Sequence, residues 1–206
     1  MTGGRRALPH GARRPPYGVT MTNRYAVLLR GINVGGHKKV PMAQLRALLT
    51  ELGHGDAQTY LQSGNAVFTA AAGTGAGDER ALGAELEQAI EKHFGFRVDC
   101  LVRSGPYLSA VADACPFPAA ELEGKQLHVT FFSEPVGPER YASLDQGAFL
   151  PEEFRLGDRA LYLYAPDGLG RSKLAEALAR PALNKGIVGT TRNWNTVVKL
   201  VEMTRD

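Results

Sequence analysis

Apolar positions along the chain fall into two rhythms. Tyr25-Ala26-Val27-Leu28-Leu29 is an unbroken apolar run that stops at Arg30-Gly31, which predicts a central strand. A glycine-rich loop, Gly31-Ile32-Asn33-Val34-Gly35-Gly36, and a basic turn, His37-Lys38-Lys39, follow it. Behind Pro41, Met42, Leu45, Leu48, Leu49 and Leu52 recur at helical spacing, and proline suits a first helical turn. Gly53 to Asp56 reads as a turn. Thr59–Gln62 and Ala66–Thr69 then flank Ser63-Gly64-Asn65, the pattern of a hairpin. Leu82, Leu86, Ala89 and Ile90 mark one face of a helix from Glu79 to His93 that Gly95 can end. A strand over 96–102 and a short helix over 105–114 complete this half, before Pro116 and Pro118 break the chain.

The order then begins again. Leu127–Phe132 predicts a strand, Pro138–Leu144 a short helix, and 153–156 with 160–164 a second hairpin around Gly157-Asp158-Arg159. Ser172–Ala179 predicts a helix, and Thr191–Val201 a final helix carrying Trp194, Val197, Val198 and Val201 on one side. Each half therefore reads strand, helix, hairpin, helix, close to a ferredoxin-like unit. The expected fold class is α+β, with two related ferredoxin-like (split β-α-β) halves whose sheets abut or merge, and helices over one face. The expected divisions are residues 1–22 as a disordered basic extension, 23–118 as the first half and 119–206 as the second. The last strand of the second half has only Ile187-Val188 to form it.

Charge adds little to this picture. The formal net charge is +3, but residues 1–20 hold Arg5, Arg6, Arg13 and Arg14 and no acid. The remainder carries 20 basic against 21 acidic side chains, so nucleic acid ranks below a small ligand as a partner. No apolar run approaches the roughly 20 residues of a membrane helix. Cys100 and Cys115 are the only cysteines, which points away from a disulfide framework and toward the cytoplasm. The five histidines form no metal-binding spacing, and no nucleophile–base set is evident. Neither a metal nor a cofactor is expected.

Three polar clusters are candidate chemistry. Arg30, Asn33, Lys38 and Lys39 lie between the first strand and the first helix, where free amides and cations favour an anion. The glycines at 31, 35 and 36 match neither the dinucleotide fingerprint nor the phosphate loop. Gln62, Ser63 and Asn65 sit in the hairpin turn, where they either bond the local backbone or face a ligand. Lys185, Arg192, Asn193 and Asn195 surround a second glycine-bearing turn, with Thr190 or Thr191 as the expected helix cap. If the two helix starts converge, one pocket holds Lys38, Lys39, Lys185 and Arg192.

The segments Leu28–Gly36, Thr59–Phe68 and Thr190–Val197 are long, ordered and specific. Through them the chain resembles the bacterial family catalogued as domain of unknown function 1697. The resemblance implies an α+β protein with two related halves and brings no activity, cofactor or catalytic assignment. The functional expectation is a phosphate- or anion-binding site for a nucleotide-like or other phosphorylated ligand. The alternatives are an enzyme acting on a phosphorylated or acyl metabolite and a non-catalytic interaction module. The sequence leaves the oligomeric state open.

Overall fold

The computed structural model describes residues 24–73 and 77–205, so the expected basic extension lies outside the described residues. Strand β1 (Arg24–Leu29) leads into α1 (Met42–Glu51), the hairpin β2 (Gly55–Tyr60) and β3 (Asn65–Thr69), α2 (Glu79–Phe94) and β4 (Cys100–Ser104). Helix α3 (Gly105–Asp113) follows directly. The chain continues through β5 (Leu127–Phe132), β6 (Glu153–Gly157), β7 (Ala160–Tyr164), α4 (Lys173–Leu178), β8 (Gly189–Asn193) and α5 (Trp194–Thr204).

The strands form two separate four-stranded sheets, ordered β2-β3-β1-β4 and β6-β7-β5-β8. Every pairing is antiparallel. Both orders place the first strand of the set between its third and fourth, as in a split β-α-β unit, which is consistent with a duplicated ferredoxin-like arrangement. The alternative of one merged sheet is not what forms.

Helices cover more than one face. The continuous apolar run of β1 is explained by burial on both sides. Tyr25, Val27 and Leu29 pack with Leu45, Leu49, Leu82, Leu86 and Ile90 of α1 and α2. Ala26 and Leu28 face the other way, into a middle layer. There they meet Val129, Phe131, Ala160 and Tyr162 of the second sheet, together with Leu108 and Val111 of α3 and Val197, Leu200 and Val201 of α5. The Tyr162 hydroxyl donates to the Val111 carbonyl at 2.7 Å, tying the second sheet to α3, and burial pushes its pKa up to about 12.

Several boundaries move from the sequence expectation. Gly55 already belongs to β2, with an irregular register between Gly55 and Gln58. The fourth strand starts at Cys100, not at 96, because pairing of β1 with 100–104 sets its limits. Phe94 and Phe96 instead pack against the first core from the connection. The Pro138 helix is only a 3-10 turn, Pro138–Tyr141.

The largest correction is at the C-terminus. Residues 189–193 form the missing strand, pairing with β5 from Phe132↔Gly189 to His128↔Asn193. Thr190, Thr191 and Arg192 are therefore extended, and the helix starts at Trp194. Asn193 caps it, its side chain accepting from the Thr196 amide, in place of the expected Thr190 or Thr191. The apolar face follows this new start, so Val198 stands exposed and Leu200 is buried.

Two buried histidines link the fold to pH. His54 stacks on Phe68, its Nδ1 accepts from the Ala71 amide, and its Nε2 lies 3.4 Å from Glu85. Burial lowers its pKa despite that carboxylate, and burial alone lowers the pKa of His128. In the unfolded chain both titrate near 6.5. Their neutral burial therefore contributes fully above that pH, and stability falls as pH drops through 6.5 toward the lowered folded values. Urea midpoints should be lower at pH 5.5 than at pH 7.5, and His128→Leu should flatten that dependence. Tyr162→Phe should cost about 1 kcal/mol of unfolding free energy, measured by urea denaturation.

Candidate functional site

The three polar clusters meet in space, and Arg192 is what joins them. Arg192 is 7 % exposed. Its Nε donates to Asn65 Oδ1 at 2.5 Å, and its NH1 donates to Thr190 Oγ1 at 2.7 Å and the Thr191 carbonyl at 2.9 Å. Its NH2 reaches the Leu29 carbonyl at 2.8 Å and, more distantly, those of Ser63 and Gly64. Every partner is neutral. Burial pushes the guanidinium down to about 10, which leaves it charged at neutral pH. The residue is thus a buried cation coordinated by carbonyl, amide and hydroxyl oxygens, in a position that joins β8 to the end of β1 and the β2–β3 turn.

The neighbouring motif residues serve the same lock. Asn65 is fully buried and its Nδ2 donates to the Tyr60 carbonyl and Ser63 Oγ. Asn33 adopts φ 56° and clamps the glycine loop. Its Nδ2 donates to the carbonyls of Val40 and Gln62, and its Oδ1 accepts from the Val40 amide. Gly64 shows why that turn needs glycine. Its φ is +83°, and a Cβ there would come 2.7 Å from Ile32 Cδ1 and 2.9 Å from Leu29 Cβ.

The cations divide. Lys38 Nζ is spent on the Arg97 carbonyl at 2.8 Å. Lys39 and Lys185 are exposed on separate connections. Asn193 is occupied as the α5 cap, and Asn195 lies over Gly124, where a Cβ would strike its side-chain amide. The expected pocket of Lys38, Lys39, Lys185 and Arg192 is therefore not formed, because Arg192 points into the protein and Lys38 is engaged elsewhere. Gln62 is exposed and contributes its carbonyl to Asn33.

Arg30 differs. It is exposed, its NH1 pairs with Asp99 at 3.1 Å, and it reaches a cavity of about 820 Å³ over the outer face of the second sheet. Phe132, Leu161 and Leu163 supply apolar lining; Thr130, Gly189 and Thr191 extend it along β5 and β8. The hydroxyls of Thr130 and Thr191 are 2.8 Å apart. Arg171 and Lys173 also line it, so the lining holds three cations, Arg30 among them paired with Asp99, and one carboxylate, Glu176.

This cavity follows from chain composition. In the first half, α1 has 10 residues and α2 has 16, and α2 buries Cys100 and Val102 of β4. The matching stretches of the second half contain Pro135, Gly137, Pro138, Gly147 and Pro151, then Pro166, Gly168, Gly170 and Pro181. They fold as 3-10 turns and a six-residue α4. These turns and α4 bury Phe132, Leu161 and Leu163 with Tyr141, Phe154, Leu174 and Leu183, but a cavity remains beside them along Thr130, Gly189 and Thr191. The α4 amides of Lys173 and Leu174 already bond the Glu152 carboxylate, so the cationic side chains, not that helix end, face the cavity.

A second cavity, about 720 Å³, runs between α2, β4 and the second half. Its central charges pair with one another. Glu79 pairs with Arg159 at 2.9 Å and with buried Arg103 at 3.5 Å, and accepts from the Ser104 amide. Among the described residues there is no cluster of three or more histidine, cysteine or acidic side chains able to hold a metal, and no helix is long and apolar enough to cross a membrane.

The architecture is that of an α+β protein with two four-stranded antiparallel sheets and an open cavity on the second. The chain matches the family described as "Protein of unknown function (DUF1697)" over residues 21–162, and it belongs to that family. A solved structure described as conserved bacterial protein SP0830 from Streptococcus pneumoniae is similar at 25 % identity, with a TM-score of 0.65. The similarity covers 88 % of this chain and 98 % of that one. No curated protein matches the chain.

The sequence reading singled out Arg30 but missed Arg171 and Lys173. They sit among glycines and a serine with no periodic pattern, and only the shortened helix brings them to the cavity. Arg192→Met should lower unfolding free energy by roughly 3 kcal/mol, because it strands several buried acceptors. Arg30→Gln, at an exposed ion pair, should change it by less than about 0.5 kcal/mol.

Proposed function

We propose that the protein binds a small phosphate-bearing, nucleotide-like molecule in the cavity over the second sheet. The observation that carries this reading is the placement of Arg30, Arg171 and Lys173 around a cavity with an apolar floor. A volume of about 820 Å³ falls in the range of small-molecule sites. Arginine offers a planar fork of donors suited to phosphate oxygens, and lysine adds a point charge. A ring or chain can meanwhile cover Leu169, a lining side chain that is 38 % exposed. The reading includes a reducing, cytoplasmic setting, supported by the unbonded thiols of Cys100 and Cys115.

Calorimetric titration with adenosine 5′-monophosphate and with ribose 5-phosphate tests this. Both should bind, and binding should weaken as salt is raised. Arg30→Gln combined with Arg171→Gln should reduce affinity at least about tenfold, as expected for loss of charge-assisted hydrogen bonds. Lys38→Gln combined with Lys39→Gln should leave it unchanged. Absence of binding by either compound, or loss confined to the Lys38/Lys39 variant, would contradict the assignment.

A further inference from the structure

The cavity also contains two hydrogen-bonding side chains for the uncharged part of a ligand, Tyr141 and Asn184. Tyr141, on the Pro138–Tyr141 turn, is 4 % exposed and lines the cavity. Its ring is held edge to face on Phe154, centroids 5.2 Å apart. Its ring is buried, while its hydroxyl makes no hydrogen bond to the described residues and keeps contact with solvent. A solvent-touching hydroxyl without a protein partner is free to donate to a ligand. Burial raises its pKa even beside Arg140, so it keeps its proton at neutral pH.

Asn184 lines the same cavity from the Pro181–Asn184 turn. Its Nδ2 donates to the carbonyls of Leu178 and Arg180, at 2.8 and 3.0 Å, which leaves Oδ1 as an acceptor. Arg140 fixes the two turns together. Its NH1 donates to the carbonyls of Leu183 and Lys185, at 3.0 and 3.2 Å. The wall therefore offers one donor and one acceptor on anchored turns, next to apolar Phe132, Leu161 and Leu163.

We infer that Tyr141 and Asn184 read the amide-like edge of a heteroaromatic ring, so that the ligand is a nucleoside phosphate and not a bare sugar phosphate. A nucleobase carries an acceptor and a donor on a flat apolar body, the complement of one donor and one acceptor on this wall. An acyl chain would leave both groups unpaired, at a cost that disfavours it. Tyr141 is a specificity-determining residue in this arrangement. The inference rests on the anion-binding reading of the cavity but fails separately from it.

The test titrates adenosine, guanosine, cytidine and uridine 5′-monophosphates and ribose 5-phosphate into the wild-type protein, Tyr141→Phe and Arg30→Gln. At least one nucleotide should bind more tightly than ribose 5-phosphate. Tyr141→Phe should weaken that nucleotide about five- to tenfold, the worth of one hydrogen bond, and ribose 5-phosphate less than about twofold. Arg30→Gln should weaken both. Tyr141→Phe should melt no lower than wild type, because the hydroxyl has no structural partner to lose. Equal binding of nucleotides and ribose 5-phosphate would overturn the inference, as would unchanged nucleotide affinity in Tyr141→Phe. Either result with continued dependence on Arg30 leaves the anion site standing. No binding of any of the five compounds removes both.

Discussion

A buried guanidinium without a carboxylate holds this structure together. Removing a cation from water costs several kcal/mol, and Arg192 offsets that cost through neutral oxygens alone. Those oxygens come from β8 itself, from the end of β1 and from the turn before β3. The arrangement is directional, because a guanidinium satisfies its donors only when all three segments are in place. Asn65, Asn33 and Gly64 are explained by the same requirement: each sets the turn whose carbonyls or amide the lock uses.

The lock has a consequence one residue further along. It grips the Leu29 carbonyl, and the next side chain, Arg30, lines a cavity otherwise built from the second half of the chain. Residues that determine the fold and a residue available for chemistry are therefore adjacent in sequence and opposite in role. The cavity exists because proline and glycine truncate the helices that would cover the outer face of β5 and β8. Where α1 and α2 seal the first sheet, the second leaves polar Thr130 and Thr191 half-buried at a cavity edge, while Phe132, Leu161 and Leu163 are buried beneath short turns and α4.

Much of the fold was legible from periodicity. The run Tyr25–Leu29, the helical spacing of Leu82, Leu86 and Ile90, and the 127–132 strand fall where the pattern puts them. β8 was not legible, because Thr190–Asn193 is polar and leads without a break into a strongly amphipathic helix. Its strand character comes from pairing with β5, a long-range contact that local pattern does not encode. The candidate site was half legible for a related reason. Glycine, asparagine and arginine mark both difficult turns and anion sites, and only burial separates the two. Arg192 lies inside and is engaged by its own protein, whereas Arg30 lies outside at a cavity rim. Arg171, Lys173 and Tyr141 sit on short turns whose position depends on how little helix the second half can form.

On the proposed reading, the motifs build the scaffold and ligand chemistry belongs to the cavity that Arg30 borders. A crystal structure of the protein soaked with adenosine 5′-monophosphate tests it most directly. Phosphate density should appear among Arg30, Arg171 and Lys173, with Arg192 still buried against Asn65 and Leu29. Density at the start of α1 beside Lys38 and Lys39, with the cavity empty, would contradict it.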